Sequence, residues 1–187
     1  MRFLLLALVL APLAACQTSG PPRQQNLLVT YSRITTDRYD ASGDLNNTNG
    51  FENDDEPDVD GWSVGLDLDL GGNLGASVAY SDREYGDDAE AEEWSGGLKY
   101  WLGGQNSYLI GLVRYAEELE LNDVTSTMNG DSYWGYGIGT GITSQATENI
   151  FLDLRVVYEG LFDDISIGTD QIDLKGFVGS IGVGLLF

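Results

Sequence analysis

The sequence predicts an all-β protein whose single domain is an eight-stranded antiparallel up-and-down transmembrane β-barrel. Three observations predict it. Apolar residues alternate with polar or small ones at period 2 from residue 26 onward, and no stretch carries the 3.6 period of a helix. Connections between the alternating segments are long and short by turns. The face opposite the apolar one is rich in glycine and serine rather than lysine and glutamate. That composition suits the inside of a narrow barrel and not a wet exterior.

The elements follow in chain order. Arg2 precedes an apolar run from Phe3 to Ala15, broken only by Pro12 and too short to span a bilayer as a helix. It closes on Leu13-Ala14-Ala15-Cys16, which resembles a bacterial lipobox, the signal cut before a cysteine that is then acylated. The expected organisation is a lipoprotein signal peptide over 1–15, lipidated Cys16 with a polar linker over 16–25, and the barrel over 26–187. Cys16 is the only cysteine, so no disulfide framework exists.

Eight alternating segments fall at about 26–33, 61–70, 74–85, 92–102, 107–120, 132–143, 149–160 and 170–187. The long connections are 34–60, 86–91, 121–131 and 161–169; the short ones are 71–73, 103–106 and 144–148. Membrane barrels have short turns on the periplasmic side and longer loops outside. An even strand number brings both chain ends to the short-turn side. An acyl chain on Cys16 would sit in the inner leaflet of an outer membrane, which is that same side.

The facing of the strands is expected to be inverted relative to a soluble barrel, with apolar side chains towards lipid and polar ones within. Gly65, Gly75, Ser77, Ser95, Gly97, Gly135, Gly137, Gly139, Gly141, Ser180, Gly182 and Gly184 then line the lumen. Trp62, Tyr80, Trp94, Tyr100, Trp134, Tyr136 and Tyr158 sit towards segment ends, as interfacial girdles do. Several charges share the lumenal parity: Asp67, Asp69, Arg83, Glu93, Lys99, Arg114, Asp153, Arg155 and Glu159. Buried and unpaired, each would cost several kcal/mol, so they are expected to form an internal ion-pair network, with Arg114 and Arg155 near its centre. The alternative use of the same groups is a gate or narrow ion path. The parity of 107–120 is ambiguous, because Leu109 to Val113 is apolar on both faces.

The domain from residue 26 to the end resembles the small eight-stranded outer-membrane barrels of the OmpA transmembrane-domain and OmpX type. The chain stops on Phe187 with Phe177, Ile181, Val183 and Leu185 on the same parity, like the C-terminal assembly signal of those barrels. The resemblance implies outer-membrane lipid and the barrel-assembly machinery as partners. It rests on pattern and carries no catalytic motif. Those families usually carry ordinary cleaved signals, so a lipid anchor is a departure and their roles transfer weakly.

Formal charge is −21, and removing residues 1–15 takes away Arg2 and no acid. Nucleic acid as a partner is excluded by the lack of clustered Lys and Arg. The chain has no histidine, which excludes Ser–His–Asp and Cys–His catalysis and histidine-ligated metals. No enzyme activity and no cofactor are expected. The first long loop is rich in oxygen ligands, and Asp54, Asp55, Asp58 and Asp60 are its candidates for Ca²⁺, but EF-hand spacing is absent and no metal is assigned. Tyr39, Tyr85, Trp94 and Tyr133, read as loop aromatics, fit either a surface for a protein or glycan or, as such residues more often do, the membrane interface. The function expected first is a non-enzymatic outer-membrane lipoprotein with a structural or surface-interaction role, displaying acidic external loops. A narrow or gated small-ion channel is one alternative. A lipid-anchored, soluble lipocalin-like binder with an apolar cavity is the other.

Overall fold

A computed structural model describes residues 27–36, 39–43, 58–86, 89–102, 106–122, 127–167 and 170–186. Cys16, Asp54, Asp55 and Phe187 lie outside the described residues. The strands are β1 (Leu27–Thr36), β2 (Tyr39–Gly43), β3 (Val59–Gly71), β4 (Leu74–Tyr85), β5 (Ala89–Trp101), β6 (Ser107–Ala116), β7 (Leu119–Asn122), β8 (Thr127–Gly130), β9 (Tyr133–Gln145), β10 (Ile150–Leu161), β11 (Ile165–Ile167) and β12 (Asp170–Leu186).

Eight staves close into one antiparallel barrel. β1 pairs β3, then β4, β5, β6, β9, β10 and β12 follow in order. The ring closes where β12 pairs β1, from Leu28↔Leu186 to Thr35↔Gly179. The short strands extend staves rather than add new ones: β2 continues along β12, β7 and β8 form a hairpin beside β5, and β11 pairs the start of β12. At one end, the turn end, chain segments reverse tightly. Gly71 and Gly72 take φ of 92° and 64°, which glycine adopts without a Cβ clash, and the Asp69 carboxylate accepts the Gly71 N–H at 2.7 Å. The opposite end, the loop end, carries the long connections.

Alternation sends apolar side chains outward. Val64, Leu66, Leu68, Val78, Leu98, Leu109, Val113, Ile138, Leu152, Leu154, Ile181, Val183 and Leu185 are all exposed on the outer face, Ile138 at 68 %. The ambiguity in 107–120 resolves the same way: Leu109, Gly111 and Val113 point out, while Tyr108, Ile110, Leu112 and Arg114 point in.

Inside, size complementarity follows strand pairing. The inward row of β9 is Gly141, Gly139, Gly137 and Gly135. Its direct partners on β6 are Tyr108, Ile110, Leu112 and Arg114, and on β10 Arg155, Val157, Glu159 and Leu161. Glycine here serves as a floor for bulky neighbours. A Cβ at Gly141 would sit 2.4 Å from the Tyr108 ring, and one at Gly137 would sit 2.7 Å from Leu112 Cδ1.

The expected loops differ from the structure at the loop end. β3 begins at Val59 and β5 at Ala89, and β2, β7, β8 and β11 occupy or adjoin segments read as connections, so the sheet continues beyond the expected boundaries. The cause is a second inversion. Val59, Ala89, Ala91, Leu119, Ile165, Ile172 and Leu174 point inward and join Ile34, Tyr85, Ala116, Tyr133 and Val178 in one buried apolar cluster. Their strand neighbours Asp60, Glu84, Glu90 and Glu92 point outward and are exposed. At this end the wall is built like a soluble barrel, apolar within and acidic without.

Candidate functional site in the barrel lumen

Charged side chains on the inner face of the barrel gather in two sets, one above the other. The set nearer the loop end is Arg83, Glu93, Arg114 and Glu159, with Tyr85 and Tyr133. Glu93, fully buried on β5, accepts from Arg114 Nε at 2.9 Å and Nη2 at 2.5 Å, from Tyr85 OH at 2.7 Å and from Tyr133 OH at 2.6 Å. Arg83 Nε lies 3.2 Å from the same carboxylate. Glu159 on β10 accepts from Arg83 Nη1 at 2.5 Å and Nη2 at 3.2 Å and pairs Arg114 Nη1 at 2.8 Å. Two cations and two anions cancel.

The second set lies nearer the turn end and holds Asp67, Lys99, Asp153 and Arg155, with Tyr108 and Thr143. Asp153 accepts from Tyr108 OH at 2.9 Å, Thr143 Oγ1 at 3.0 Å and Arg155 Nη2 at 3.3 Å. Lys99 pairs Asp67 and lies 4.6 Å above the Tyr108 ring. Trp101, also lumenal, meets that ring edge-on at 4.7 Å. This set is also charge-neutral.

Eight of the nine charges assigned to the lumenal parity meet here. The ninth, Asp69, does not: it is exposed at the turn end, where its carboxylate is held by the Gly71 N–H as β3 runs out. Asp58 and Asp60 are exposed, and the described residues contain no group of acids arranged to hold a metal. Tyr85 and Tyr133, read from sequence as loop aromatics, are buried in the lumen. They share parity with Arg83 and Gly135, and that parity was the available signal. Tyr108 and Thr143 were missed as network members, though they share parity with Arg114 and Gly141 respectively.

Between the two sets lies a cavity of about 40 Å³ bordered by serines, Arg83, Arg155 and Glu159. Above the upper set the apolar cluster closes the lumen. A hydrated ion crossing the barrel would have to open both neutral ion-pair sets and enter a water-excluding cap. Leaving either partner of a buried pair alone costs about 3–5 kcal/mol.

On the outside, an aromatic row circles the barrel just below the acidic collar. Trp62 packs on Tyr80 at 5.7 Å between centroids and Tyr80 on Trp94 at 5.3 Å. Tyr115 meets Trp134 at 4.9 Å, Tyr136 meets Phe162 at 5.4 Å and Tyr158 meets Phe177 at 5.1 Å. Tyr100 is exposed towards the opposite edge of the belt. The row adds Tyr115, Phe162 and Phe177 to the aromatics expected from sequence.

No protein-family model and no curated protein matches the sequence. Solved structures do. Neisserial surface protein A superposes with a TM-score of 0.62 at 14% identity, over 86% of this chain and 97% of that one. The fold is that of the small outer-membrane β-barrels. OprG from Pseudomonas aeruginosa matches with a TM-score of 0.55 at 12% identity, over 91% and 99% of the two chains. The N-terminal β-barrel domain of P. aeruginosa OprF gives 0.53 at 16% identity, over 88% and 100%. This small outer-membrane barrel fold accounts for the outward apolar belt and places the charged lumen where such barrels keep their polar side chains.

Proposed function

We propose that the chain is a non-enzymatic outer-membrane β-barrel lipoprotein: a sealed barrel seated in lipid, tethered by acylated Cys16 on the periplasmic side, with a structural and surface-interaction role. One observation carries the reading, the reversal of facing along the staves at the aromatic row. Below the row apolar side chains point out and charges point in; Arg83, Glu93 and Glu159 point in at or just above it, and beyond them apolar side chains point in while acids, with Lys175 among them, point out. A wall that leaves lipid for water at the row needs that change, because the solvent of its outer face changes there. The belt spans residues 62–70, 94–102, 150–158 and 177–185 on four staves. That is about 26 Å along each strand, or about 20 Å across the bilayer at about 40° tilt. The height is close to the ~25 Å apolar band of such barrels.

β1 starts at the turn end, which is the side of the short turns and the side where the proposed tether would join it. The lumen supports a structural role over conduction, since two neutral ion-pair sets and an apolar cap lie in series. The collar supports a surface role. Asp60, Glu84, Glu90 and Glu120 are exposed and in direct cross-strand register on neighbouring strands. Asp60 opposite Glu84 is a like-charge pair that costs stability, so it serves the outer surface rather than the fold.

The test is gel migration of unboiled and boiled outer-membrane fractions, followed by planar-bilayer recording. The expected result is a compact, heat-modifiable band, no unitary conductance, and a need for detergent even after Cys16 is replaced. A single band with soluble release of the Cys16-substituted protein would favour the anchored soluble binder. Discrete current steps would favour the channel.

A further inference from the structure

We propose that the cavity between the two ion-pair sets is a site for one small monovalent anion of halide size. The inference requires the closed barrel only and holds whether or not the protein is lipidated.

The cavity presents donors among apolar groups, which are Ile34, Ala79, Leu112, Val157 and Val178. Ser63, Ser81, Ser95 and Ser180 border it from β3, β4, β5 and β12, together with Arg155 from β10. Among the described residues, the hydroxyls of Ser81, Ser95 and Ser180 have no protein hydrogen-bond partner, although Ser81 is only 5% exposed. Ser63 Oγ lies 3.1 Å from Ser32 Oγ. Ser81 is buried and Ser95 and Ser180 are half-buried, and hydroxyls that border one space can share a partner there.

Arg155 has donors to give. Of its five N–H groups, Nε reaches Tyr108 OH and Nη2 reaches Asp153, each at 3.3 Å. Charge-assisted bonds are ordinarily about 2.7–2.9 Å, so this cation is held loosely by the protein. Arg83 and Glu159 also border the space; Glu159 takes Arg83 at 2.5 Å and Arg114 at 2.8 Å, while the buried Arg83 Nε makes no hydrogen bond. The negative charge of Glu159 is therefore neutralised by two guanidinium groups rather than aimed at the cavity.

Size and charge select the ligand. At about 10–15 Å³ of such space per water, a volume of about 40 Å³ takes about three waters, or one halide with a water or two. Sulfate or phosphate, with four oxygens and a second charge, fits neither the space nor a lumen already neutral. Entry is from the turn end through the lower ion-pair set, whose Asp67 and Arg155 side chains keep 12% and 15% exposure and must part to admit the anion. The apolar cap closes the other end, so the site is blind and binds without transporting.

Two measurements test this on the detergent-folded full-length protein. The first is the thermal midpoint for loss of the compact gel band in NaBr, NaCl and sodium gluconate at one ionic strength. A site predicts a saturable rise with bromide and chloride of about 3–6 °C at ten times Kd. Non-specific salt effects order the three anions the other way, bromide lowest. Arg155→Gln and the cavity-filling Ser180→Val should each abolish the rise, and the serine variant decides if the arginine variant does not fold. The second is the anomalous signal of bromide in crystals of the folded barrel. A peak within hydrogen-bond reach of Arg155 and one of Ser81, Ser95 or Ser180 supports the site. Equal midpoints in the three salts, or ordered water there with bromide elsewhere as an adventitious ion only, overturn it.

Discussion

Replacing Glu93 by glutamine removes one charge from the middle of the barrel and almost no volume. In the wild type the carboxylate accepts from Arg114 at 2.5 and 2.9 Å, from Tyr85 at 2.7 Å and from Tyr133 at 2.6 Å, with Arg83 Nε at 3.2 Å. Glutamine keeps one acceptor oxygen and turns its NH₂ towards groups that are themselves donors. Two buried guanidinium groups are then left with Glu159 alone, and the upper set carries an uncompensated positive charge. Breaking one side of a buried pair costs about 3–5 kcal/mol. With a urea slope of about 2 kcal/mol/M, the unfolding midpoint in micelles should fall by roughly 2 M. Glu84→Gln, exposed on β4, should change stability by less than about 0.5 kcal/mol. Adding Arg114→Met to Glu93→Gln restores neutrality, so the double variant should be much less destabilised than the sum of the singles. If Glu93→Gln and Glu84→Gln shift the midpoint alike, Glu93 is solvated rather than the hub of a closed ion-pair set, and the lumen is not sealed.

Other consequences are tested the same way. Gly141→Ala puts a Cβ 2.4 Å from the Tyr108 ring, so urea unfolding should show a loss of about 1–3 kcal/mol, and the same change made in a Tyr108→Leu background should cost less. Leu154→Arg, mid-belt on the outer face, should cost about 2–4 kcal/mol in vesicle refolding, whereas Glu84→Lys on the collar should be neutral or mildly stabilising; equal costs would remove the lipid belt. Cys16→Ser should abolish incorporation of labelled palmitate while the heat-modifiable band stays in the membrane fraction. Arg155→Gln should leave planar-bilayer current at baseline, and stepwise current would show that Arg155 had been guarding a path.

Much of the fold was legible because the lumen of a small barrel imposes a strong size rule. The run Gly135, Gly137, Gly139, Gly141 is a strand whose inner face had to be empty, and period 2 set its parity. The stave extensions were harder to read. In Ala89-Glu90-Ala91-Glu92 the outward acids suggest a loop, and the alanines are too small to advertise a core. Which charges belong to the lumen was written in the same parity, and Asp69 strayed only because its strand was ending. Their pairing was not legible. Arg83 and Glu159 are separated by 76 residues and meet across the barrel, a contact fixed by strand stagger that alternation does not encode. The tyrosines of both sets were hidden for a related reason, since a tyrosine near a strand end fits an interfacial girdle and a buried network equally well.

Reversal of facing at the aromatic row is the central claim, and the most direct measurement is oxygen and nickel accessibility of single spin labels in lipid vesicles. With Cys16 replaced, labels are placed at Leu66, Leu68, Ile181 and Val183 on the belt and at Glu84, Glu90 and Glu92 on the collar. The account predicts high oxygen and low nickel accessibility for the first four and the opposite for the last three, with the crossover at Trp62 and Trp94. Nickel accessibility at Leu66 and Val183 matching that at Glu84 would place the belt in water and contradict the account.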